Sequence, residues 1–161
     1  MKIAINGFGR IGRLFFRQAF GLPNIEITAI NDLGDLENLA YLLKYDSVYR
    51  QFPAEIRGMA RNEGGTTRNY LMVNDKEILF LQEKDAAKLP WKDLGIDLVI
   101  ESTGVFESFE KAKVHLDAGA KRVIISAPAK DAEGVMDGQT ILVGINEGDL
   151  EKKILISNAS C

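Results

Sequence analysis

The sequence predicts an α/β fold: a doubly wound, mostly parallel sheet with a small antiparallel hairpin excursion. Three observations carry that expectation. Short runs rich in β-branched residues alternate with segments of helical period, the pattern of a parallel sheet with crossover helices. The first run leads directly into Gly7-Phe8-Gly9-Arg10-Ile11-Gly12. The 161 residues amount to one domain, enough to bury roughly 68–70% of the unfolded chain's surface.

Residues 2–6 read as a short buried strand that ends in glycine. From 10 to 20 the apolar residues Ile11, Leu14, Phe15 and Ala19 fall at helical spacing, and Gly21 and Pro23 supply the stop. The β-branched run 26–31 is a second strand, and 35–45 is helical through Leu36, Leu39, Ala40 and Leu43. The stretch 51–69 holds Gly58, Gly64, Gly65 and paired threonines without a clear period, so it reads as loop. Residues 71–73 and 77–81 flank Asn74-Asp75-Lys76 as a hairpin. A strand at 98–101 and a helix at 108–118 follow, the helix capped by Ser108 and closed by Gly119. Further strands are expected at 122–126, 141–143 and 154–157. There is no internal repeat and no low-complexity tract.

Composition narrows the function classes. Hydrophobic residues make up 46% and charged residues 27%, which argues against disorder. Twenty basic and twenty-three acidic side chains give a net charge of −3, no support for nucleic-acid or acidic-membrane binding. The N-terminus lacks a signal-peptide pattern and no run approaches the roughly 18 apolar residues of a membrane span, so a cytoplasmic protein is expected. The only cysteine is Cys161, the last residue, which precludes an internal disulfide and favours a reducing compartment.

The glycine pattern follows a strand and opens a helix, the context in which it has a mechanism. Gly7 permits the tight turn, Gly9 lets the backbone approach a pyrophosphate, and Gly12 lets the helix pack close to the sheet. The amides of Arg10 and Ile11 at the helix start are the candidate phosphate donors. Asp32, twenty residues after Gly12, closes the second strand where a carboxylate meets ribose hydroxyls and repels a 2′-phosphate. NAD is the expected cofactor of this Rossmann-type site; the competing role for Asp32 is a helix cap or Asx turn. Ser102-Thr103-Gly104 and Ser126 lie at the carboxyl ends of later strands, the edge where such sheets bind ligands, though turn chemistry explains them equally well. No metal site is expected. His115, the single histidine, reads as a surface or half-buried helix residue without a catalytic role.

Six segments together resemble phosphorylating glyceraldehyde-3-phosphate dehydrogenase. They are Ile5-Asn6-Gly7-Phe8-Gly9-Arg10-Ile11-Gly12-Arg13, Asn31-Asp32-Leu33, Leu42-Leu43-Lys44-Tyr45-Asp46-Ser47, Glu101-Ser102-Thr103-Gly104-Val105-Phe106, Ile124-Ile125-Ser126-Ala127-Pro128 and Ser157-Asn158-Ala159-Ser160-Cys161. The resemblance implies NAD-dependent oxidation of glyceraldehyde 3-phosphate to 1,3-bisphosphoglycerate with inorganic phosphate as co-substrate. It makes Cys161 the nucleophile, whose thiolate attacks the aldehyde and whose thioester is cleaved by phosphate, with Ser160 beside it at the substrate. It assigns Arg10, Ile11, Asp32 and Ser126 to the cofactor, and implies a homotetramer for the full-length family.

The sequence also departs from that family. Lys84 stands where the family usually has an arginine beside the adenine, which weakens planar stacking. Residues 57–70 look like a surface insertion, and Gly34 stands where some members that accept NADP have a glycine. The family's activating histidine, phosphate sites and nicotinamide-fixing asparagine lie beyond Cys161. Residues 1–161 are therefore expected to form the NAD-binding domain alone, ending where the catalytic domain starts, and to be inactive in isolation. Two alternatives stand beside this reading: erythrose-4-phosphate dehydrogenase, and an isolated NAD-binding module without turnover.

Overall fold

The computed structural model describes residues 1–158, so the predicted Ser160 and Cys161 lie outside the described residues. The chain opens β1 (Lys2–Asn6), α1 (Arg10–Ala19), β2 (Glu26–Asn31), α2 (Leu36–Lys44). A two-stranded ribbon follows, β3 (Tyr45–Asp46) against β4 (Arg50–Gln51). Next come β5 (Ile56–Glu63), β6 (Thr66–Val73) and β7 (Lys76–Leu81). The remainder is α3 (Trp91–Leu94), β8 (Leu98–Glu101), α4 (Phe109–Asp117), β9 (Arg122–Ile125), β10 (Gln139–Thr140) and β11 (Leu155–Ser157).

Nine of these strands form one sheet in the order β10-β11-β9-β8-β1-β2-β7-β6-β5. Pairing is parallel from β10 across to β7 and antiparallel for β6 and β5. The chain builds outward from β1 to β2 and β7, then returns to the other side of β1 at β8. The topological switch point, where open parallel sheets bind ligands, therefore lies between the carboxyl ends of β1 and β8.

Strand periodicity divides the core in two. Ile5 and Ile30 share a face and pack with Phe16 of α1 and Leu39 and Leu43 of α2. Ala4, Ala29, Val99 and Val123 line up across the other face, beneath Trp91 of α3 and Phe109 of α4. The small residues Ala4 and Ala29 in that row leave room for the two large rings. Ser108 caps α4 as expected, its side chain accepting from the Lys111 amide.

Two expectations fail. Residues 51–69 are mostly strand, not loop: β5 and β6 pair over their full length from Ile56↔Val73 to Glu63↔Thr66. Gly64 and Gly65, at φ 60° and 90°, make the two-residue turn whose positive dihedrals match the twist of a hairpin. The stretch read as a surface insertion is this hairpin. The strand expected at 141–143 lies earlier, at Gln139–Thr140, because only these two residues pair with β11. Val143 is 89% exposed, which no interior strand position allows.

Candidate dinucleotide crevice

Gly7 follows β1 at φ +93°, a conformation open to glycine. A Cβ on Gly7 would lie 2.6 Å from the Ser102 and Thr103 backbone, so the turns after β1 and β8 touch. Gly12 is equally constrained, since its Cβ would lie 2.1 Å from the Gly7 carbonyl oxygen. Ser102 Oγ donates to that same carbonyl at 2.6 Å. Helix, turn and neighbouring strand are thus held at backbone contact.

Gly9 behaves differently. Its φ of −70° suits any residue, and a Cβ there would meet nothing within 4 Å. The chain itself does not require glycine at this position; what the missing side chain preserves is access to the start of α1. That helix begins with no side-chain cap and no acidic residue in its first turn, leaving the positive end of its dipole to an incoming anion. Phe8, between the two glycines, is fully buried and sits edge-on to Phe16 at 5.7 Å.

Asp32 follows β2. Its carboxylate accepts from the Phe8 amide at 2.6 Å and from the Gly34 amide at 2.8 Å. The Asx-turn role weighed for it is therefore real, while the cap of α2 belongs to Asp35, which accepts from the Asn38 amide. The Asp32 side chain also faces a crevice of about 420 Å³ that Gly7, Gly9, Lys84, Ser102 and Thr103 line with it. Arg13 completes the glycine loop, donating from Nη1 to the Phe8 carbonyl at 2.8 Å. Burial lowers its pKa from the usual guanidinium value, with Asp46 and Asp32 acting in the opposite sense.

Other predicted site residues take flanking places. Arg10 and Ile11 are exposed on the first turn of α1, and Gly12 is buried behind it. Gly104 is exposed at φ +74°, outside the lining. Ser126 lies one strand further from β1, its amide donating to the Glu101 carbonyl at 2.9 Å. The greatest departure is His115, expected at the surface or half-buried and in fact fully buried. It faces inward from α4 and bonds Trp91 and Glu101, so its helix face is the core face.

The family model described as the NAD-binding domain of glyceraldehyde 3-phosphate dehydrogenase matches residues 1–109. The chain belongs to the glyceraldehyde-3-phosphate dehydrogenase family. It is 52% identical to the glyceraldehyde-3-phosphate dehydrogenase of Thermotoga maritima, over 99% of this chain and 45% of that protein. It is 48% identical to the enzyme of that name from Geobacillus stearothermophilus, over 100% of this chain and 45% of the relative. The chain thus spans less than half the length of the curated relatives it matches.

Sequence reasoning toward this candidate site in a chain of the glyceraldehyde-3-phosphate dehydrogenase family missed Asn6, Asn31 and the role of Glu101. All three sit at one register level, at the last position of adjacent strands β1, β2 and β8. All three are buried, and Asn6 and Asn31 line the crevice. The available signal was a polar residue ending each of three apolar strands, because a buried polar group needs a partner.

Proposed function

We propose that this chain is the NAD-binding portion of a phosphorylating glyceraldehyde-3-phosphate dehydrogenase. The observation that carries the reading is the crevice, which an unhindered Gly9 at the uncapped start of α1 lines together with Asp32. The crevice fits a dinucleotide at both ends. The amides of Arg10 and Ile11 would hold the pyrophosphate, and the Asp32 carboxylate, already fixed by the Phe8 and Gly34 amides, would take the ribose hydroxyls. Lys84, Ser102 and Thr103 would contact the cofactor from the walls, with Gly104 and Ser126 further along. Bound NAD supplies a hydride acceptor. Cys161 is the proposed nucleophile, with Ser160 beside it, forming an acyl thioester from glyceraldehyde 3-phosphate that inorganic phosphate cleaves to 1,3-bisphosphoglycerate.

In this reading residues 1–161 are one dinucleotide-binding domain, and the catalytic portion, the tetramer and a cytoplasmic setting belong to a full-length protein. The relatives that bear the name glyceraldehyde-3-phosphate dehydrogenase favour this over the erythrose-4-phosphate reading. Titration calorimetry of the 161-residue chain with NAD and NADP tests the cofactor half, with tighter NAD binding expected. Absence of saturable binding, or a preference for NADP, would refute it. For the catalytic half, purified chain given glyceraldehyde 3-phosphate, NAD and phosphate should form no appreciable NADH, whereas a full-length version should.

A further inference from the structure

Beneath the crevice runs a chain of buried side-chain hydrogen bonds that the proposed chemistry does not use. At one end, Asn31 Oδ1 accepts from the Glu83 amide at 2.9 Å and Asn31 Nδ2 donates to the Glu83 carbonyl at 2.9 Å. These two backbone contacts fix which way the Asn31 amide faces. Its Nδ2 also donates to Asn6 Oδ1 at 2.8 Å, which in turn fixes Asn6 so that its Nδ2 donates to Glu101 Oε2 at 2.6 Å. At the other end, the indole N–H of Trp91 can only donate, and it reaches His115 Nδ1 at 3.2 Å. Nδ1 must therefore carry a lone pair, which puts the imidazole proton on Nε2, facing Glu101 Oε2 at 2.9 Å. The other carboxylate oxygen accepts from both the amide and the hydroxyl of Thr103.

Asn6 Nδ2, His115 Nε2 and the amide and hydroxyl of Thr103 all converge on Glu101, which is 2% exposed and accepts at both carboxylate oxygens. Two of the segments that this network ties together line the crevice: Glu83 with Lys84, and Thr103. We propose that Glu101 is a positioning residue for the dinucleotide crevice, its carboxylate oriented by an Nε2–H tautomer of His115 that Trp91 enforces. The proposal rests on the dinucleotide-binding reading. It makes Glu101 the junction that holds the Thr103 turn in register with Asn6 and, through Asn31, with the Lys84 segment. A low-polarity surrounding strengthens each such bond and penalises each vacancy.

The sequence supplies its own reporters, because His115 and Trp91 are its only histidine and its only tryptophan. Neither ring lines the crevice. Nitrogen-15 spectra of the 161-residue chain should show one imidazole protonated on Nε2, and added NAD should shift both its signals and the Trp91 indole signal. A surrounding with a purely structural role would not respond to the ligand. His115→Gln keeps an acceptor for Trp91 and a donor for Glu101, and should retain NAD affinity within about threefold. His115→Phe removes both, and Glu101→Gln turns a donor toward two donors; each should weaken NAD binding by roughly tenfold.

The proposal is overturned if the imidazole carries its proton on Nδ1 alone, or if NAD leaves both reporters unmoved. It is equally overturned if His115→Phe, folded by circular dichroism, binds NAD as the parent does. Should His115→Phe not fold, His115→Gln and the spectra of the parent chain still decide. If the parent binds neither NAD nor NADP, the dinucleotide reading falls with it. Parent binding with indifferent variants removes only the positioning role.

Discussion

The three glycines of the loop have different reasons to be glycine, and alanine at each separates those reasons. At Gly12 a Cβ would stand 2.1 Å from the Gly7 carbonyl oxygen, about 1.3 Å inside the 3.4 Å where ordinary contact begins. The obstacle is backbone that Ser102 Oγ also holds, so it cannot swing aside as a side-chain tip would. Overpacking of this kind costs about 3 kcal/mol. The better helix propensity of alanine returns up to about 1 kcal/mol, leaving a loss near 2 kcal/mol. For a chain of this size each kcal/mol moves the melting temperature by roughly 2–4 °C, so Gly12→Ala should melt about 4–8 °C lower.

Gly9→Ala meets nothing within 4 Å and needs no unusual φ, so its melting temperature should stay within about 2 °C of the parent. What it changes is the approach to α1, and NAD affinity should fall roughly tenfold, or about 1.4 kcal/mol. Scanning calorimetry and titration calorimetry on the same two preparations give both numbers. A Gly12→Ala protein as stable as the parent, or a Gly9→Ala protein with undiminished affinity, would show that the contact argument misassigns these glycines.

Asp32→Gly should narrow the preference for NAD over NADP, measured as the ratio of the two dissociation constants. It should also lower stability by about 1–3 kcal/mol, because the Phe8 and Gly34 amides lose a charged acceptor. Asp97 bonds Lys121 and the Lys2 amide, which hold its carboxyl below the ordinary value of 3.8. A lowered folded pKa stabilises above the unfolded value and loses that contribution as pH falls through the folded one. Melting curves of Asp97→Asn should therefore lie below the parent at pH 7 and converge with it as pH drops below about 4; a gap that widens in acid would contradict the assignment. Gly65→Ala, at φ +90°, should cost about 1 kcal/mol or more and speed amide exchange in β5 and β6 ahead of β1. Uniform exchange across the sheet would count against the hairpin as a separable unit.

Elements whose burial follows a simple period were legible in the sequence. Lys2–Asn6 and Leu98–Glu101 are buried strands, and the placement of α1 and α4 followed from apolar spacing plus Ser108 at a helix start. The β5–β6 hairpin was not, because its outer half is exposed on both faces and carries Arg61, Glu63 and Arg68 in surface ion pairs. Its ladder depends on backbone pairing and on Gly64-Gly65, a short-range turn signal with no apolar alternation to announce it. The positions of Gly7, Gly9 and Asp32 were legible because they follow β1 and β2, strands whose apolar runs show in the sequence. The Asn6, Asn31 and Glu101 network was not, since it exists only once three strands far apart in sequence lie in register. His115 was misplaced for the same reason. Its neighbours Lys113 and Asp117 are solvent-facing, and nothing local shows that Glu101 and Trp91 await it on the other side of α4.

Phe8 carries one more consequence. The glycine loop that lines the crevice is anchored by an aromatic ring sunk in the core against Phe16, and the Phe8 amide and carbonyl are taken by Asp32 and Arg13. Such a loop has little conformational entropy left to lose when a ligand arrives. Its ordering is completed with folding, so dinucleotide capture draws on a finished surface rather than on a segment that must first be stilled.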